Sequence, residues 1–330
     1  MQRDFYLFSN GRLQRKDNTL FFINEEGKKK AVPIETIRNL YIFGEMDFNS
    51  KFFNFIAQNN ILLHIFNYYG FYSGTYCPRE ALLSGDVIVK QAKTFTKPSK
   101  QLPLAKELIL AASYNIHKNL KYYDSRGKDL QHQIDEISNL RKEINKCNNV
   151  NEVMGYEGQI RQIYYSAFTE IINQNIDFTK RVKHPPDNMI NTLISFGNSL
   201  CYTTVLSEIY KTQLNPTISF LHKPSYRRFS LALDISEIFK PILVDRIIFR
   251  LLNKNMISEK DFEQELNFCH MKDKAKKIFA REYDKQLQQT VNHKDLNRRY
   301  SYRYIIRLEC YKLIKHILEN KQYSAFKIWW

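Results

Sequence analysis

The sequence predicts an α+β multidomain fold, in which an N-terminal β-sandwich domain is followed by a mostly α-helical domain. Glycine is concentrated at the start, where six of the ten glycines lie within residues 1–85 and none follows Gly197. The apolar pattern also changes, from short strand-like runs before residue 86 to helical spacing after it. With 330 residues, 43% apolar and 14% aromatic, the chain is long enough for two domains, at residues 1–85 and 86–330.

The first domain is predicted to consist of short strands and one helix. Asn10-Gly11 is a hairpin signal after the first strand, and a single short helix is predicted at residues 50–58. The predicted strands are residues 4–8, 19–24, 28–32, 37–43, 61–66 and 71–76. Since exposed strand edges can pair with another chain, the edges of this domain are a candidate surface for a contact with another chain.

The second domain is predicted to be nearly all helix. Apolar residues at positions 130, 134, 137, 140 and 144 form one helical stripe, and similar spacing occurs at residues 242–252, 273–291 and 296–318. Prolines such as Pro98, Pro103 and Pro216 are expected in connections between helices. The polar stretch 93–100 is predicted to be a linker or a mobile connection.

The net charge of +16 lies almost entirely in the second domain. Residues 1–85 hold 10 Lys and Arg against 8 Asp and Glu, whereas residues 86–330 hold 40 against 26. A positive field of this kind attracts polyanions and favours phosphate contacts. Nucleic acid is favoured over a membrane surface, because no amphipathic helix combines a wholly basic face with exposed Trp or Leu.

Other features of the composition exclude several classes of protein. The abundance of Phe and Tyr excludes intrinsic disorder, and no apolar run approaches the roughly 18 residues of a membrane span. No signal peptide is recognised at the amino terminus. The five cysteines form no CxxC pair, which predicts ordinary thiols in a reducing cytoplasm and no zinc knuckle.

Glu157 is the first residue whose surroundings suit chemistry. It stands between Gly155 and Gly158, which would let the backbone pack closely and leave the carboxylate unobstructed. If the segment is helical, Arg161 lies one turn later on the same face. A surface ion pair between Glu157 and Arg161 explains the same residues without any function.

Two further segments supply an imidazole and paired carboxylates. His222 lies in a proline-bounded loop, where an isolated histidine is also explained by ordinary solvation. Asp234 and Glu237 open a helix, and their spacing fits an N-terminal capping pair as well as two carboxylates that hold a divalent ion. Pro241 cannot donate a hydrogen bond to the carbonyl oxygen of Glu237, so a kink is expected one turn later.

The three segments together suggest a cation site. Carboxylates with a single imidazole suit Mg²⁺ or Mn²⁺ better than Zn²⁺. A basic scaffold around such an ion is what phosphodiester chemistry requires, because the ion offsets phosphate charge while Lys and Arg hold the backbone. From the residues alone, a metal-dependent phosphodiester enzyme is a hypothesis.

Five motifs, in order along essentially the whole chain, resemble the CRISPR-associated adaptation endonuclease, the integrase that inserts new spacers into a repeat array. The amino-terminal part is similar to that family's strand-rich part and ends in residues 68–80. The motifs are residues 155–158, residues 185–197 (Pro-Pro-Asp-Asn through Leu-Ile-Ser-Phe-Gly), Leu221-His222, residues 230–237 and residues 239–246. His184, where the family often has Arg, and the basic loop after His222 depart from the family pattern.

The resemblance implies roles for particular residues. Glu157, His222 and Glu237 are implied as ligands of one Mg²⁺ or Mn²⁺ ion, and Asp234 as a further acidic catalytic position. The implied reaction is transesterification, in which the 3′-hydroxyl of short spacer DNA attacks a phosphodiester of the repeat; water in its place gives endonuclease activity. The implied partners are double-stranded DNA, a second copy of the chain, and the small ferredoxin-like protein of CRISPR adaptation.

Basic residues near the implied ligands are predicted to contact DNA, namely Arg161, Lys223, Arg227 and Arg228. Two alternatives stay open on the sequence alone. One is a non-enzymatic basic DNA-binding subunit, and the other is a metal-dependent nuclease that acts on RNA or branched DNA without integration. Convergence of the three implied ligands would favour an enzyme, whereas their scatter over separate surfaces would favour the passive subunit.

Overall fold

The computed structural model has a strand-rich amino-terminal part followed by a mostly helical part, which confirms the predicted fold class. It describes residues 2–79, 82–176, 178–183, 185–226, 229–266, 268–293 and 297–329. The strands are β1 (Arg3–Leu7), β2 (Gly11–Lys16), β3 (Thr19–Asn24), β4 (Lys29–Pro33), β5 (Ile37–Ile42), β6 (Met46–Asp47), β7 (Leu62–Phe66), β8 (Tyr72–Tyr76), β9 (Phe262–Glu265), β10 (Phe268–Met271), β11 (Thr290–His293) and β12 (Arg298–Ser301). The helices are α1 (Ser50–Gln58), α2 (Gly85–Thr96), α3 (Pro98–Asp124), α4 (Gln131–Ile144), α5 (Val150–Ser166), α6 (Phe168–Ile171), α7 (Met189–Tyr210), α8 (Ser230–Lys240), α9 (Arg246–Asn253), α10 (Asp273–Gln288) and α11 (Tyr302–Glu319).

Two four-stranded sheets form the amino-terminal part. Sheet A has the order β1-β5-β7-β8, with the first three strands parallel and β8 antiparallel to β7. Sheet B has the order β4-β3-β2-β6. Leu13 and Leu20 of sheet B share one apolar core with Leu40 and Leu63 of sheet A and with Phe52 of α1. The short helix that the sequence predicts at residues 50–58 therefore packs one face against the core of the sandwich.

Strand β5, in the interior of sheet A, is buried on both faces. Alternate residues of a strand point to opposite faces, and on β5 Leu40 and Ile42 join the core shared with sheet B. Tyr41, together with Phe43 just beyond the strand, joins the second and larger core, which contains the helices. Phe43 also packs against Phe196 of α7, with the ring centroids 5.6 Å apart and the rings tilted by 43°. The helical part is therefore built directly on the outer face of this sheet.

Polar contacts also join the sheet to the helices. His64 on β7 is fully buried, and its Nε2 lies 2.7 Å from the Ser207 hydroxyl on α7. Asp4 on β1 pairs with Arg303 on α11, and Arg303 lies 3.7 Å from Glu208 on α7. The boundary at residue 85 stays a prediction.

The hairpin predicted at Asn10-Gly11 is wrong. Strand β1 pairs in parallel with β5, whereas β2 pairs with β3, so the chain crosses between sheets at this point. The turn signal is real, but it marks a crossover, and Gly11 has a φ of 152° where a Cβ would lie 2.2 Å from the carbonyl oxygen of Ile23. Strand β2 escapes prediction because Leu13 is its one buried residue.

Two expectations for the helical part are also wrong. The stretch 93–100 is not a linker, since α2 ends at Thr96 and α3 begins at Pro98. Pro103 lies inside α3, near its start, and therefore does not mark a connection. Beside its helices, the second part also contains two short antiparallel ribbons, in which β9 pairs with β10 and β11 pairs with β12.

Candidate functional site

Helix α5 brings Glu157 and Arg161 onto one face, as predicted. The helix begins after Asn149, whose side chain accepts a hydrogen bond from the backbone N–H of Glu152. Residues four apart on a helix are neighbours, and Arg161 Nε donates to Glu157 Oε1 at 3.3 Å. The carboxylate stays accessible, since the Glu157 side chain is 22% exposed.

The glycines beside Glu157 leave open space and do not allow close packing. A Cβ added at Gly155 or at Gly158 would meet no atom within 4 Å among the residues that the structure describes. The predicted close approach of backbone is therefore wrong at both positions. The predicted access to the carboxylate holds, because Gly155 and Gly158 add no side chains that could cover Glu157.

Helix α8 supplies the second carboxylate, and its end is irregular for a clear reason. Pro241 has no N–H to donate, and the chain passes through a π-helical turn, Pro241–Asp245, before α9 begins. Glu237 lies just before this turn and is 5% exposed. Its Oε1 accepts from Lys240, and its Oε2 accepts from Arg161 Nη2 at 2.5 Å. One guanidinium group therefore contacts both glutamates.

The charges around Glu237 keep it ionised. Burial alone would raise its pKa, but the charges of Lys240, Arg161 and His222 outweigh burial and hold the pKa of Glu237 below its ordinary value. Asp245, one π-turn later, is the opposite case, because burial raises its pKa to about 6. Its Oδ2 is buried without a hydrogen-bond partner among the described residues.

Asp234 organises the loop that carries His222. Its carboxylate accepts from the backbone N–H groups of Phe220 at 2.6 Å, Leu221 at 2.9 Å and His222 at 2.9 Å. Its Oδ1 also lies 2.9 Å from the His222 ring Nδ1. The capping interpretation of Asp234 is wrong, because α8 begins four residues earlier and Asp234 holds a different segment.

The His222 ring is thereby fixed in one orientation. The Nδ1–H group donates to Asp234, so Nε2 is the nitrogen left to bind a ligand. Burial disfavours the charged ring, but the hydrogen bond and charge of Asp234, with the charge of Glu237, raise the pKa of His222. His222 lines a cavity of about 660 Å³ with Met154 of α5 and with the exposed Lys223.

The structure brings the implied ligands near each other without forming a closed cluster. Glu157 and Glu237 share Arg161 and line one cleft of about 510 Å³. His222 lines the neighbouring cavity, but it is close enough for its charge to act on the pKa of Glu237. Within the part of the chain that the structure describes, no three His, Cys, Asp or Glu side chains are arranged to hold a metal ion.

Four basic side chains, here called the basic wall, line the cleft with the two glutamates and were not predicted from the sequence. Lys180 and Lys183 are exposed and line the cleft with Arg181 and Lys240. The signal was available, since residues 180–183 form a basic run just before the double proline, and Lys240 follows Glu237 by three residues.

The motif at residues 185–197 holds this wall in place. The Asn188 side chain caps α7 by accepting from the backbone N–H of Asn191 at 2.9 Å. The Asn191 amide donates to the carbonyl oxygen of Lys180 at 3.1 Å and accepts from Arg181 at 3.0 Å. Arg181 also donates to the Ser195 hydroxyl at 2.8 Å. These residues therefore position basic side chains against the glutamates.

The predicted DNA contacts divide into three groups. The prediction that Arg161 contacts DNA is wrong, because this residue is 9% exposed and its guanidinium is held by Glu157 and Glu237. Lys223 is exposed beside His222, as a phosphate contact requires. Arg227 and Arg228 lie outside the described residues.

Comparison with known proteins identifies the family. The model of CRISPR associated protein Cas1 matches residues 5–285. The chain belongs to the Cas1 family. It is 56% identical over 330 residues to CRISPR-associated endonuclease Cas1 of Fusobacterium nucleatum, with 100% of this chain and 98% of that protein covered. It is 47% identical over 333 residues to CRISPR-associated endonuclease Cas1 of Clostridium perfringens, with both chains covered completely. The resemblance predicted from the five motifs is confirmed.

Solved structures agree with this assignment. A Cas1 protein from Thermotoga maritima superposes with a TM-score of 0.88 at 39% identity, over 98% of this chain and 100% of that one. A casposase bound to an integration product has a TM-score of 0.86 at 20% identity over 98% of this chain and 93% of that one, which shows a shared fold. No helix in the described part of this Cas1 chain has the length and apolar character needed to traverse a bilayer.

Proposed function

We propose that this Cas1 chain is a divalent-metal-dependent DNA endonuclease and integrase of CRISPR adaptation. In this proposal it joins the 3′-hydroxyl ends of short spacer DNA to the repeat by transesterification. The family match and the relatives named CRISPR-associated endonuclease support the CRISPR role. The observation that carries the proposal is the cleft in which Glu157 and Glu237 face one guanidinium and a basic wall.

The residues of the cleft fit Mg²⁺ or Mn²⁺ in their chemistry. Two carboxylates and one imidazole form a donor set that such ions accept. Glu157 and Glu237 contact the same guanidinium, and Asp234 fixes the His222 ring so that Nε2 is the nitrogen left for a ligand. Glu157, His222 and Glu237 are therefore the proposed ligands. Cation binding requires Arg161 and Lys240 to give up part of their contacts with the carboxylates.

The chain's own groups account for the rest of the chemistry. When bound, the cation offsets the negative charge that develops on the phosphate in transesterification. Lys240 and Arg161 add fixed positive charge on the protein side of the cleft. Lys180 and Lys183 are exposed and hold the DNA backbone at the cleft mouth. His222 acts as a ligand and Asp234 as the residue that orients it.

We propose three kinds of partner. The DNA substrates are the double-stranded spacer precursor and the repeat, on the evidence of the net charge of +16 and the basic wall. The protein partners are a second copy of the chain and a small ferredoxin-like adaptation protein. A structural neighbour at 18% identity, with a TM-score of 0.85, belongs to a Cas6-RT-Cas1–Cas2 complex, although this chain covers 36% of that one. The five cysteines are free, which supports a cytoplasmic location.

The test is a strand-transfer assay with purified protein, Mg²⁺ or Mn²⁺, a short duplex and a repeat-bearing plasmid, with and without the adaptation partner. Glu157→Gln or Glu237→Gln should lower joining by more than about 100-fold, since losing a ligand costs more than losing a residue that supports one. The control is Glu170→Gln, because Glu170 is exposed on α6. Mn²⁺ affinity measured by calorimetry should fall in the first two variants alone.

The assay also separates the two alternatives. DNA binding without any metal-dependent cleavage or joining would identify a passive basic subunit. Cleavage of RNA or branched DNA with no joining to the repeat would identify a nuclease without integration. Unchanged joining in Glu157→Gln would contradict the proposed ligand set.

A further inference from the structure

A second basic cavity lies away from the cleft of Glu157 and Glu237. Its volume is about 650 Å³, within the range of pockets that hold small ligands. It shares no lining residue with the cleft among the described residues. It is lined by Tyr122, Tyr123, Arg126, Arg246, Phe249, Arg250, Asn253, Lys254, Gln286, Gln289, Val291, Asn292, Tyr302 and Trp329.

Positive charge predominates among the described residues that line this cavity. Three arginines and Lys254 line it, and among the described residues no carboxylate does. Arg250 Nε and Nη2 are buried and have no hydrogen-bond partner in the described part of the chain. The carboxylate beside Arg250 is that of Glu282 at 3.7 Å, which already accepts from Lys285 at 2.7 Å. Buried donors without partners indicate a place for an acceptor from outside.

The aromatic side of the cavity suits a flat ring. Tyr122 lies under two guanidinium groups, with Arg126 Cζ 3.7 Å and Arg246 Cζ 5.0 Å from its ring centroid. Tyr123 and Phe249 meet edge to face at 5.2 Å and form the floor. Aromatic rings next to Arg and Lys are the combination on which proteins stack nucleobases and bind the attached phosphates.

A basic and aromatic stripe leads along α3 to this cavity. Tyr114, Lys118 and Tyr122 are spaced by four and therefore share one face. Lys118 Nζ and Arg141 Cζ both lie over the Tyr114 ring, at 5.7 Å and 5.4 Å from its centroid. Next to them, partial burial and the charges of Lys121, Arg141 and Lys118 lower the pKa of His117 to about 4. The face is strongly positive up to the cavity.

We propose that this cavity binds one unpaired nucleotide of a single-stranded DNA segment, which lies along α3. The phosphate is held by Arg246, Arg250 and Lys254, and the base stacks against the aromatic wall. The choice of DNA as the polymer rests on the proposed function, whereas the choice of a nucleotide rests on the cavity itself. In a duplex the bases are paired and stacked inside the double helix, so an unpaired end or a displaced strand is the form whose base can enter the cavity.

Tryptophan fluorescence can report binding at this cavity. Its two tryptophans are the last two residues, and Trp329 lines the cavity. We would titrate the full chain, in excess chelator, with an oligothymidylate of about eight nucleotides and follow tryptophan emission. The expected result is saturable quenching. A labelled copy of the same oligonucleotide, followed by anisotropy, measures overall binding.

Substitutions of single residues distinguish the contribution of charge to nucleotide binding from the contribution of base stacking. Arg250→Gln, Lys254→Gln and Tyr122→Leu should each weaken the quenching transition by about 5- to 10-fold. Lys254 is exposed, so its variant keeps the core intact if Arg250→Gln proves unstable. Lys51→Gln is the matched control, since Lys51 is an exposed lysine on α1. It should leave the transition unchanged.

Several outcomes would overturn the proposal. Binding of the oligonucleotide without quenching would do so, and so would equal affinity in all four variants. Equal quenching by inorganic phosphate alone would show an anion site without base recognition, and equal quenching by a duplex would remove the single-strand requirement. A chain that shows the quenching but joins no strands would refute the proposed function and leave this site standing.

Discussion

Asp234 holds the loop that carries His222 and fixes the orientation of the histidine ring. It is fully buried and receives three backbone N–H groups and one ring N–H from the loop of residues 220–222. A carboxylate with that many donors is strongly stabilised, so the loop and the orientation of His222 depend on its charge. In the proposed site its part is therefore to position His222, and the sequence could show the spacing of this acid but not which loop it holds.

We expect Asp234→Asn to weaken Mn²⁺ binding by about 10- to 100-fold, because the amide cannot accept all four donors and frees the His222 ring. Calorimetric titration of Mn²⁺ measures the effect. Asp86→Asn, at an exposed acid that pairs with Lys90, is the control and should bind Mn²⁺ as the parent does. Parent-like affinity in the Asp234 variant would show that the histidine needs no such support.

At the scale of elements, the site depends on how tightly α7 packs. A Cβ at Gly197 would lie 2.4 Å from Val244 Cγ1, on the π-helical turn, and 2.8 Å from Phe279 Cζ on α10. This glycine therefore lets three elements meet behind the cleft. The glycine sits in a motif that the sequence identified by resemblance, but its packing role depends on neighbours far away in the chain.

We expect Gly197→Ala to lower the free energy of unfolding by about 1–3 kcal/mol, since overpacking forces the neighbours apart. Gly158→Ala is the matched control, another helical glycine whose added Cβ meets nothing. It should raise the free energy of unfolding by about 0.5–1 kcal/mol, because alanine favours helix. Urea denaturation of both variants gives the comparison, and the same sign in both would contradict the packing role.

The loop element before α7 makes a separate prediction. Lys180→Gln combined with Lys183→Gln should weaken DNA binding and reduce the slope of log affinity against log salt by about one per lost phosphate contact. Anisotropy titrations at several salt concentrations measure the slope. The control pair is Lys29→Gln with Lys30→Gln, two exposed lysines on β4. An unaltered slope in the loop variant would exclude these lysines as DNA contacts.

Elements with a strong local pattern could be predicted, and those decided by distant partners could not. The stripe of residues 130–144 gave α4 because its spacing matches a helix face. The hairpin predicted at Asn10-Gly11 is wrong because a turn signal does not indicate which sheet the next strand joins. The family motifs gave Glu157, His222 and Glu237, and helical spacing gave the pairing of Arg161 with Glu157, but the contact of Arg161 with Glu237 appears only in three dimensions.

At the scale of the molecule, buried polar groups connect sheet A to the helices. His64 bonds Thr75 at 2.8 Å and Ser207 at 2.7 Å with its two ring nitrogens. Burial, with the charges of Lys211 and Arg303, lowers the pKa of His64 to about 3. The folded chain therefore holds this ring neutral, whereas the unfolded chain protonates it near pH 6.5. Between these values the unfolded state binds more protons, so stability is lost as the pH falls.

We expect this one group to lower the free energy of unfolding by about 2 kcal/mol between pH 7 and pH 5. Urea denaturation at the two pH values, on the parent and on His64→Gln, measures the contribution as the difference between their pH dependences. His132→Gln is the control, since His132 is 79% exposed. If the parent and His64→Gln lose equal stability on acidification, the buried imidazole does not cause the pH dependence of the free energy of unfolding.

Because strand β5 packs into a different core on each of its faces, the first eighty residues cannot be exchanged as an independent unit. Within four consecutive positions, Leu40 and Ile42 pack into the core shared with sheet B, whereas Tyr41 and Phe43 pack into the core that contains the helices. A chimera that takes these strands from a distant Cas1 and the helices from this one would mismatch along that whole surface. Such hybrids should misassemble unless the contacting residues of α7 and α11 are exchanged as well, so the two parts are constrained to evolve together.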